Sequence, residues 1–288
     1  MNIENNKRFL IYKGTGGLAH NFDGLMTAIH ICEVQKRDLI IDMAQTKGFK
    51  IRFSEIFHIK GLNIKYYDTY DIINPNMLYK DKTINEVAKD PLKFNSKDLK
   101  YYLFNENIST LDKNQIDEIV VYAGYQNPKI RYNIEINNYI LDKLLQEDII
   151  KCPYISLHFR NTDKKNDINI FIKNIKYLID LTGINTLYIA SDYSETYDII
   201  SSHYPDLNII IKTHPNKNII NLHHTSENKF EEIYNCLRDI YYISKSSYFI
   251  PSYNSGLSHM IINQIKNNSP VIPNITSSTK ILPLDMCV

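Results

Sequence analysis

The chain has 288 residues, which is long for one core and suits two domains of about 140 residues each. Its 33 basic and 32 acidic residues leave a net charge of +1, which argues against nucleic acid as a partner and makes any anion site local. The four cysteines form no CxxC pair, so zinc and disulfide frameworks are disfavoured and a reducing compartment is favoured. With no run of about 18 apolar residues, we expect a cytoplasmic protein without a transmembrane segment, and leave peripheral membrane contact open.

Short apolar runs alternate with segments of helical period, which is typical of βαβ units around parallel sheets. The first half opens with a predicted strand "RFLIYK", a glycine loop "GTGGLAHN", a helix over residues 22–34 and a strand "DLIIDM". From about residue 45 to 117 the pattern weakens, and "FSEIFHI" fits a helical turn or a strand. A strand in "EIVVYAG" and a helix in "EINNYILDKLLQ" complete this half.

A cleaner series begins at Pro153, which marks the predicted domain boundary and gives domains 1–150 and 151–288. The predicted strands are "YISLHFR", "TLYIAS", "LNIIIK", "YFIP" and "PVIP". The predicted helices cover residues 168–181, 195–202, 230–244 and 255–265. This alternation predicts a doubly wound α/β domain with a parallel sheet.

The glycine loop matches G-x-G-x-x-A at Gly14, Gly16 and Ala19, follows a predicted strand and precedes Asp42 at the end of the next one. That context is the one a dinucleotide-binding fingerprint requires. Glycines at a helix start let backbone N–H groups approach any anion, so a nucleotide sugar or a polar acceptor fits as well as NAD. A tight turn without a ligand is the further alternative.

The stretch "YISLHFRNTDKKND" ends an apolar strand with His158 and Arg160. Alternate side chains of a strand share a face, so these two point the same way. At the carboxyl end of a strand in an open α/β sheet, that face overlooks the crevice where ligands bind. Arginine suits a pyrophosphate because its planar fork donates two parallel bonds and keeps its charge. The alternative is an edge strand whose polar face meets water.

Two further segments place polar residues at strand ends. "LYIASD" ends in Ser191 and Asp192, and "LRDIYYISKSSYFIPSYNSGLSHM" carries Asp239 on a helix and Ser252 and Ser255 after a buried strand. Hydroxyls and N–H groups at a helix start can cradle an anion, but the same residues are also common helix N-caps. Each segment alone therefore leaves both interpretations open.

Together these motifs resemble the fucosyltransferases that include the core α1,6 enzymes and the bacterial nodulation-factor enzymes. "HFRNTDK" is similar to their H-x-R-x-T-D-K, "LYIASD" to their strand ending in Ala-Thr/Ser-Asp, and "LRDIYYISKSSYFIPSYNS" to their L-x-D-I-x-x-L-S-x-x-x-x-F-[VI]-x-[ST]-x-x-S. The match spans residues 154–265. "GGLAHN" resembles the Gly-rich N-terminal loop of the wider clan, with Ala19 and His20 where many members have Gly-Asn.

The resemblance implies a GT-B-like fold of two facing Rossmann-like domains, with the donor GDP-β-L-fucose held mainly by the C-terminal domain and a glycan or glycolipid as acceptor. Arg160 would then bind the β-phosphate, with His158 beside the diphosphate, Asp239 on guanine and Asp192 lining the pocket. The remaining residues that the motifs assign to the donor or the reacting centre are Ser252, Ser255, Gly16, Gly17, Asn21 and Lys164.

The implied reaction needs positive charge at the leaving pyrophosphate, where negative charge grows as the glycosidic bond breaks. No two aspartates lie two residues apart, so the Asp-x-Asp motif of metal-dependent transferases is absent. We therefore expect a metal-independent enzyme in which Arg160 takes the place of the cation. The histidines of "THPNKNIINLHH" lack ordered carboxylate or cysteine partners, and we expect a solvated loop there.

One departure concerns the catalytic base. The core α1,6 enzymes carry a glutamate eight residues after the motif arginine, where this chain has Ile168. Asp167 is one residue earlier and is also an obvious N-cap of the following helix; Asp163 and Asp23 are further candidates. The resemblance also implies that the transfer inverts the configuration at the anomeric carbon, and no carboxylate identified in this sequence supports that independently. Transfer from another GDP-sugar, an NAD(P)-dependent oxidoreductase and an inactive nucleotide or glycan binder remain alternatives.

Overall fold

A computed structural model describes the protein in eleven segments. These are residues 9–14, 17–43, 49–68, 100–102, 119–122, 131–147, 150–161, 166–212, 228–268, 270–275 and 277–283. The chain divides into two compact units, Met1–Asn137 and Asn138–Val288, here the first and the second unit. The unit border falls before the helix that the sequence analysis placed in the first domain. The roles assigned to the two predicted domains stay predictions.

The described elements of the first unit are β1 (Phe9–Lys13), α1 (Leu18–Gln35), β2 (Asp38–Asp42), α2 (Phe53–Ile56), β3 (Phe57–Lys60), β4 (Tyr66–Asp68), β5 (Lys100–Tyr102), β6 (Ile119–Tyr122) and β7 (Asn133–Ile136). They form a parallel sheet with strand order β4-β2-β1-β6-β5 and a separate antiparallel pair of β3 and β7.

Helix α1 begins at Leu18, four residues before the predicted start, so the glycine loop is shorter than expected. Gly17 is its N-cap residue and makes no side-chain cap bond. Asn21 lies in the first turn and is buried, and its Nδ2 donates to the carbonyl of Gly17 at 3.1 Å. A polar side chain that bonds within its own turn can be buried inside a helix. The local periodicity hid this start because Asn21 interrupts the apolar pattern.

Two stretches of the first half each contain helix and strand residues, although the sequence predicts a helix alone for "EINNYILDKLLQ" and leaves "FSEIFHI" open between the two. "FSEIFHI" is a short helix, α2, that runs directly into strand β3. In "EINNYILDKLLQ", Glu135 and Ile136 end strand β7, and the helix starts only at Asn138. Strand β7 pairs with β3, and that pairing cannot be read from either segment alone.

The described elements of the second unit are α3 (Asn138–Gln146), β8 (Ile155–Phe159), α4 (Ile168–Thr182), β9 (Thr186–Ser191), α5 (Thr196–His203), β10 (Asn208–Ile210), α6 (Lys229–Ile243), β11 (Tyr248–Ile250), α7 (Gly256–Ile265) and β12 (Lys280–Ile281). The strands form a parallel sheet with strand order β10-β9-β8-β11-β12. The predicted helices and the first four predicted strands of this half lie within two residues of these bounds.

Strand β8 is the centre of the second unit, and all five of its residues are buried. This fits a central parallel strand that is covered on both faces. Phe159 packs edge-on against Phe171 of α4 with ring centroids 5.0 Å apart. Leu157, Ile189 of β9 and Ile250 of β11 belong to the same buried cluster. The buried central strand therefore fixes the position of the residues that follow it.

The predicted strand "PVIP" is wrong, because residues 270–273 form bends and a turn. The side chain of Gln264 in α7 satisfies the backbone of Ile272 there, with Nε2 donating to the carbonyl and Oε1 accepting from the N–H, both at 2.9 Å. The edge strand beside β11 is instead β12, in register Tyr248↔Lys280. None of the described helices has the length and apolar character needed to cross a membrane.

Candidate functional site

The strand order of the second unit reverses at β8, which has β9 on one side and β11 on the other. The carboxyl ends of the strands at such a reversal form the crevice where open α/β sheets bind ligands. Arg160 directly follows β8, Asp192 directly follows β9, and Ser252 lies two residues after β11. Three of the sequence-predicted residues therefore meet at this edge of the sheet.

Hydrogen bonds connect the end of β8 to the end of β11 and to the start of α7. The backbone N–H of Arg160 donates to Ser252 Oγ at 2.9 Å, and the backbone N–H of Ser252 donates to Ser258 Oγ at 3.0 Å. His158 Nδ1 lies 2.7 Å from the same Ser258 hydroxyl. His158, Ser252 and Ser258 are all buried, so these bonds hold the backbone of the crevice in one arrangement.

Arg160 faces the carboxylate of Asp192 at this edge. Its Nε lies 3.9 Å from Asp192 Oδ2, and each side chain retains 18% of its exposure. Asp192 Oδ1 accepts from the backbone N–H of Asn161 at 2.8 Å, which anchors the carboxylate to the loop after β8. A contact of 3.9 Å is longer than a charge-assisted hydrogen bond. The arrangement holds the guanidinium near the crevice.

His158 is a neutral imidazole in this setting. Burial is the main cause that lowers its pKa to about 3, and the nearby charge of Arg160 lowers it further. A histidine with this pKa carries no charge near neutral pH. Arg160 therefore supplies the positive charge of this pair, and His158 supplies one donor and one acceptor nitrogen.

Ser255 is the N-cap of α7, and its Oγ accepts from the backbone N–H of Ser258 at 3.4 Å. It is fully buried. The structure thus shows the capping role that the sequence left open. Capping uses only a lone pair of the Ser255 hydroxyl, so the hydroxyl proton can still donate to a bound anion. The helix dipole at the same helix start also favours negative charge.

Asp239 of α6 accepts a hydrogen bond at Oδ1 from the hydroxyl of Tyr188 in β9, at 2.7 Å. Burial raises the pKa of Asp239 to about 7, although the Tyr188 hydrogen bond and the Arg238 guanidinium act in the opposite direction. Tyr188 stacks on Tyr242 with ring centroids 5.2 Å apart. Sequence reasoning missed Tyr188; the signal was a tyrosine inside a buried strand, whose hydroxyl needs a partner.

The other predicted site residues lie elsewhere or outside the described residues. Gly17 and Asn21 belong to the first unit, where Asn21 also accepts at its backbone carbonyl from the Tyr12 hydroxyl at 2.9 Å. Gly16 and Lys164 lie outside the described residues, as do the histidines of "THPNKNIINLHH". The assignment of these residues to a donor stays a prediction.

The candidates for a catalytic base are engaged in other contacts where the structure describes them. Asp167 is the N-cap of α4, with Oδ1 accepting from the backbone N–H and the Nδ2 of Asn169, both at 2.9 Å. Asp23 pairs with Arg131 Nη1 at 2.9 Å. Asp163 lies outside the described residues. The N-cap interpretation of Asp167 is confirmed, and no base is identified.

Within the described segments, histidines, cysteines and carboxylates form no group of three or more that could hold a metal ion. Metal independence itself stays a prediction. What the site offers chemically is a fixed guanidinium, a neutral histidine and two serine hydroxyls at one sheet edge. This set suits an oxygen-rich anion.

No family model and no curated protein matches the chain. Solved structures do match. The fucosyltransferase NodZ from Bradyrhizobium is 14% identical, with a TM-score of 0.53 over 88% of this chain and 91% of that one. A structure of NodZ alpha-1,6-fucosyltransferase soaked with GDP-fucose is 13% identical, with a TM-score of 0.51 over 89% and 92%. POFUT1 in complex with GDP-fucose is 9% identical, with a TM-score of 0.55 over 95% and 98%.

These likenesses extend over most of both chains, so they concern the whole fold and not one nucleotide-binding motif. They agree with the resemblance that the motifs of residues 154–265 carry. The protein shares its α/β fold, with parallel sheets, with the fucosyltransferase NodZ and with POFUT1.

Proposed function

We propose that the protein is a glycosyltransferase that moves fucose from GDP-β-L-fucose to a hydroxyl of a glycan or glycolipid acceptor. The second unit holds the donor, and the proposed architecture is GT-B-like, with the first unit on the acceptor side. The transfer inverts the configuration at the anomeric carbon and needs no metal ion. The observation that carries the proposal is the meeting of His158, Arg160, Asp192, Ser252 and Ser255 at the reversal of strand order.

Arg160 is the group that the proposed chemistry depends on most. When the bond between fucose and GDP breaks, negative charge grows on the leaving pyrophosphate, and a preorganised cation facing it contributes most in the transition state. The guanidinium never loses its charge. Its backbone is fixed by Ser252, and its side chain is held near the crevice by Asp192. Positioning before the reaction lowers the reorganisation that the transition state requires.

The neutral His158 and the serine hydroxyls complete the proposed pyrophosphate site. Ser252 Oγ accepts from the N–H of Arg160, which leaves its own hydroxyl proton as a donor for a phosphate oxygen. In the described part of the chain, no acceptor for that proton lies within hydrogen-bonding distance. The proposed site is therefore rich in donors, as recognition of a diphosphate requires.

The test is a binding and turnover comparison of the wild type with Arg160→Ala and Arg160→Lys. Calorimetric titration of GDP, GDP-fucose, GDP-mannose and NAD identifies the donor class. Removing a transition-state donor of this kind costs on the order of 10² to 10³ in rate, so we expect that loss for Arg160→Ala. Arg160→Lys should retain part of the GDP affinity and lose most of the rate, because lysine keeps the charge without the planar fork.

Lys176→Ala is the matched control, since Lys176 is an exposed cation on α4 that pairs with Asp180. It should bind and turn over GDP-fucose like the wild type. A melting temperature of the wild type that rises with NAD but not with GDP would refute the proposal. GDP binding without hydrolysis or transfer would support the inactive binder instead, and loss of turnover with EDTA would refute metal independence.

A further inference from the structure

Ser258 is a buried serine in the first turn of α7 that the sequence analysis did not single out. It is 1% exposed. Its hydroxyl lies 2.7 Å from His158 Nδ1 and accepts from the backbone N–H of Ser252 at 3.0 Å. Its own backbone N–H donates to Ser255 Oγ. One side chain thus joins the ends of β8 and β11 at the start of α7.

The protons of this cluster can be assigned by counting donors and acceptors. A serine hydroxyl has one proton to donate and two lone pairs. The backbone N–H of Ser252 can only donate, so it occupies one lone pair of Ser258 Oγ. Within hydrogen-bonding distance of this hydroxyl, the described residues place just one other group, His158 Nδ1. If Nδ1–H donated to the second lone pair instead, the buried hydroxyl proton would have no acceptor among the described residues, which is unfavourable. The hydroxyl proton therefore points to Nδ1, which acts as an acceptor.

The tautomer of His158 follows from this assignment. A neutral imidazole carries one proton, and if Nδ1 accepts, the proton is on Nε2. Burial and the charge of Arg160 keep the ring neutral. The ring consequently presents an N–H donor at Nε2. The opposite tautomer would present a lone pair at Nε2, which repels an anion.

We infer that Ser258 is a positioning residue of the nucleotide site, which holds His158 as the Nε2–H tautomer so that this nitrogen donates to an oxygen of a bound nucleoside diphosphate. The tautomer assignment rests on the hydrogen bonds of the cluster and on the neutral state of the buried ring. The identity of the ligand rests on the proposed function. Ser258 itself touches no reacting atom in this scheme, and it acts through His158.

The experiment is a long-range nitrogen–proton correlation spectrum of the histidine rings of the full chain, with His158→Gln identifying the His158 signals. It is recorded on the wild type, Ser258→Ala and Ser258→Thr, without ligand and with GDP. Ser246→Ala is the matched control, because Ser246 is buried in the same unit and bonds Ser156 Oγ at 2.8 Å, and among the described residues no hydrogen bond joins it to His158. Calorimetry gives the GDP affinity of each variant.

We expect Nε2 to carry the proton in the wild type and in Ser258→Thr, which keeps the hydroxyl. Ser258→Ala should show a mixture of tautomers and bind GDP about three- to tenfold more weakly, the effect of one hydrogen bond. Ser246→Ala should lose stability with no change in tautomer or affinity. A wild-type ring protonated at Nδ1 overturns the inference, as does an unchanged tautomer in Ser258→Ala.

The two proposals fail in different ways. A wild type that does not bind GDP refutes the proposed function, while the spectrum of the free protein still decides the tautomer. A wild type that binds GDP with His158 protonated at Nδ1 refutes only the role of Ser258. If Ser258→Ala does not fold, the spectrum of the wild type and of Ser258→Thr still decides between the tautomers.

Discussion

Replacing Asp239 by asparagine should change how the stability of the protein depends on pH. Asp239 lies on α6, and its carboxyl accepts a hydrogen bond from the hydroxyl of Tyr188. Burial raises its pKa from 3.8 to about 7. A group whose pKa is higher in the folded state stabilises the fold fully below its unfolded pKa, and this contribution is lost as the pH rises through the folded value. The stabilising contribution of Asp239 is therefore lost between about pH 4 and about pH 7.

The magnitude follows from the shift of about 3 pKa units, each equivalent to about 1.4 kcal/mol, which sets an upper limit of about 4 kcal/mol. Asp239 is only part-buried, so the measured value should be smaller. Asparagine is nearly isosteric and keeps an acceptor for the Tyr188 hydroxyl. The substitution therefore removes the titration and leaves this hydrogen bond.

The assay is urea unfolding followed by circular dichroism from pH 4 to 8 for the wild type and Asp239→Asn. The free energy of unfolding of the wild type, relative to the variant, should fall by up to about 4 kcal/mol across this range and level off above pH 7. The control is Asp198→Asn, which removes an exposed carboxylate of α5. Its free energy of unfolding, plotted against pH, should run nearly parallel to that of the wild type. Parallel curves for Asp239→Asn as well would show that Asp239 titrates normally and that our argument is wrong.

Three other substitutions test single contacts. Asp167→Asn should keep the stability of α4, because asparagine caps as well as aspartate, and should keep turnover; lost turnover at unchanged melting temperature would identify Asp167 as the base. Gly14→Ala should lower the melting temperature of the first unit, because a Cβ would lie 2.1 Å from Asn21 Oδ1, a clash costing about 1 to 3 kcal/mol; unchanged melting would contradict this. Gln264→Ala should cost about 2 to 4 kcal/mol in urea unfolding, since it leaves both backbone groups of Ile272 without their partner, and a cost below 1 kcal/mol would refute that role.

Much of the second unit could be predicted because its signals are local. The apolar run before Arg160 and the helical period after Asp167 predict β8 and α4 correctly, since periodicity and capping depend on neighbouring residues. The prediction of a strand in "PVIP" was wrong because of a contact with a residue outside this segment. Its apolar side chains are buried, but the partner of the Ile272 backbone is the side chain of Gln264 and not a strand.

The candidate site was only partly predictable. His158 and Arg160 were identified because alternation in a strand places them on one face. Ser258 and Tyr188 were missed. A tyrosine inside a buried strand indicates that its hydroxyl has a partner, but its own segment does not identify that partner. Each became visible only through a partner far away in the chain, His158 and Asp239 respectively.

The sequence by itself determined the alternation of strands and helices, the polar residues at the strand ends and the likeness of three motifs to the fucosyltransferases. The tertiary structure decided which of these strand ends meet. Arg160 bonds Ser252, 92 residues later, because β8 lies between β9 and β11. Neighbours in a parallel sheet are set by crossover connections and by burial of both sheet faces. No local pattern contains that information, and the proton on His158 depends on it.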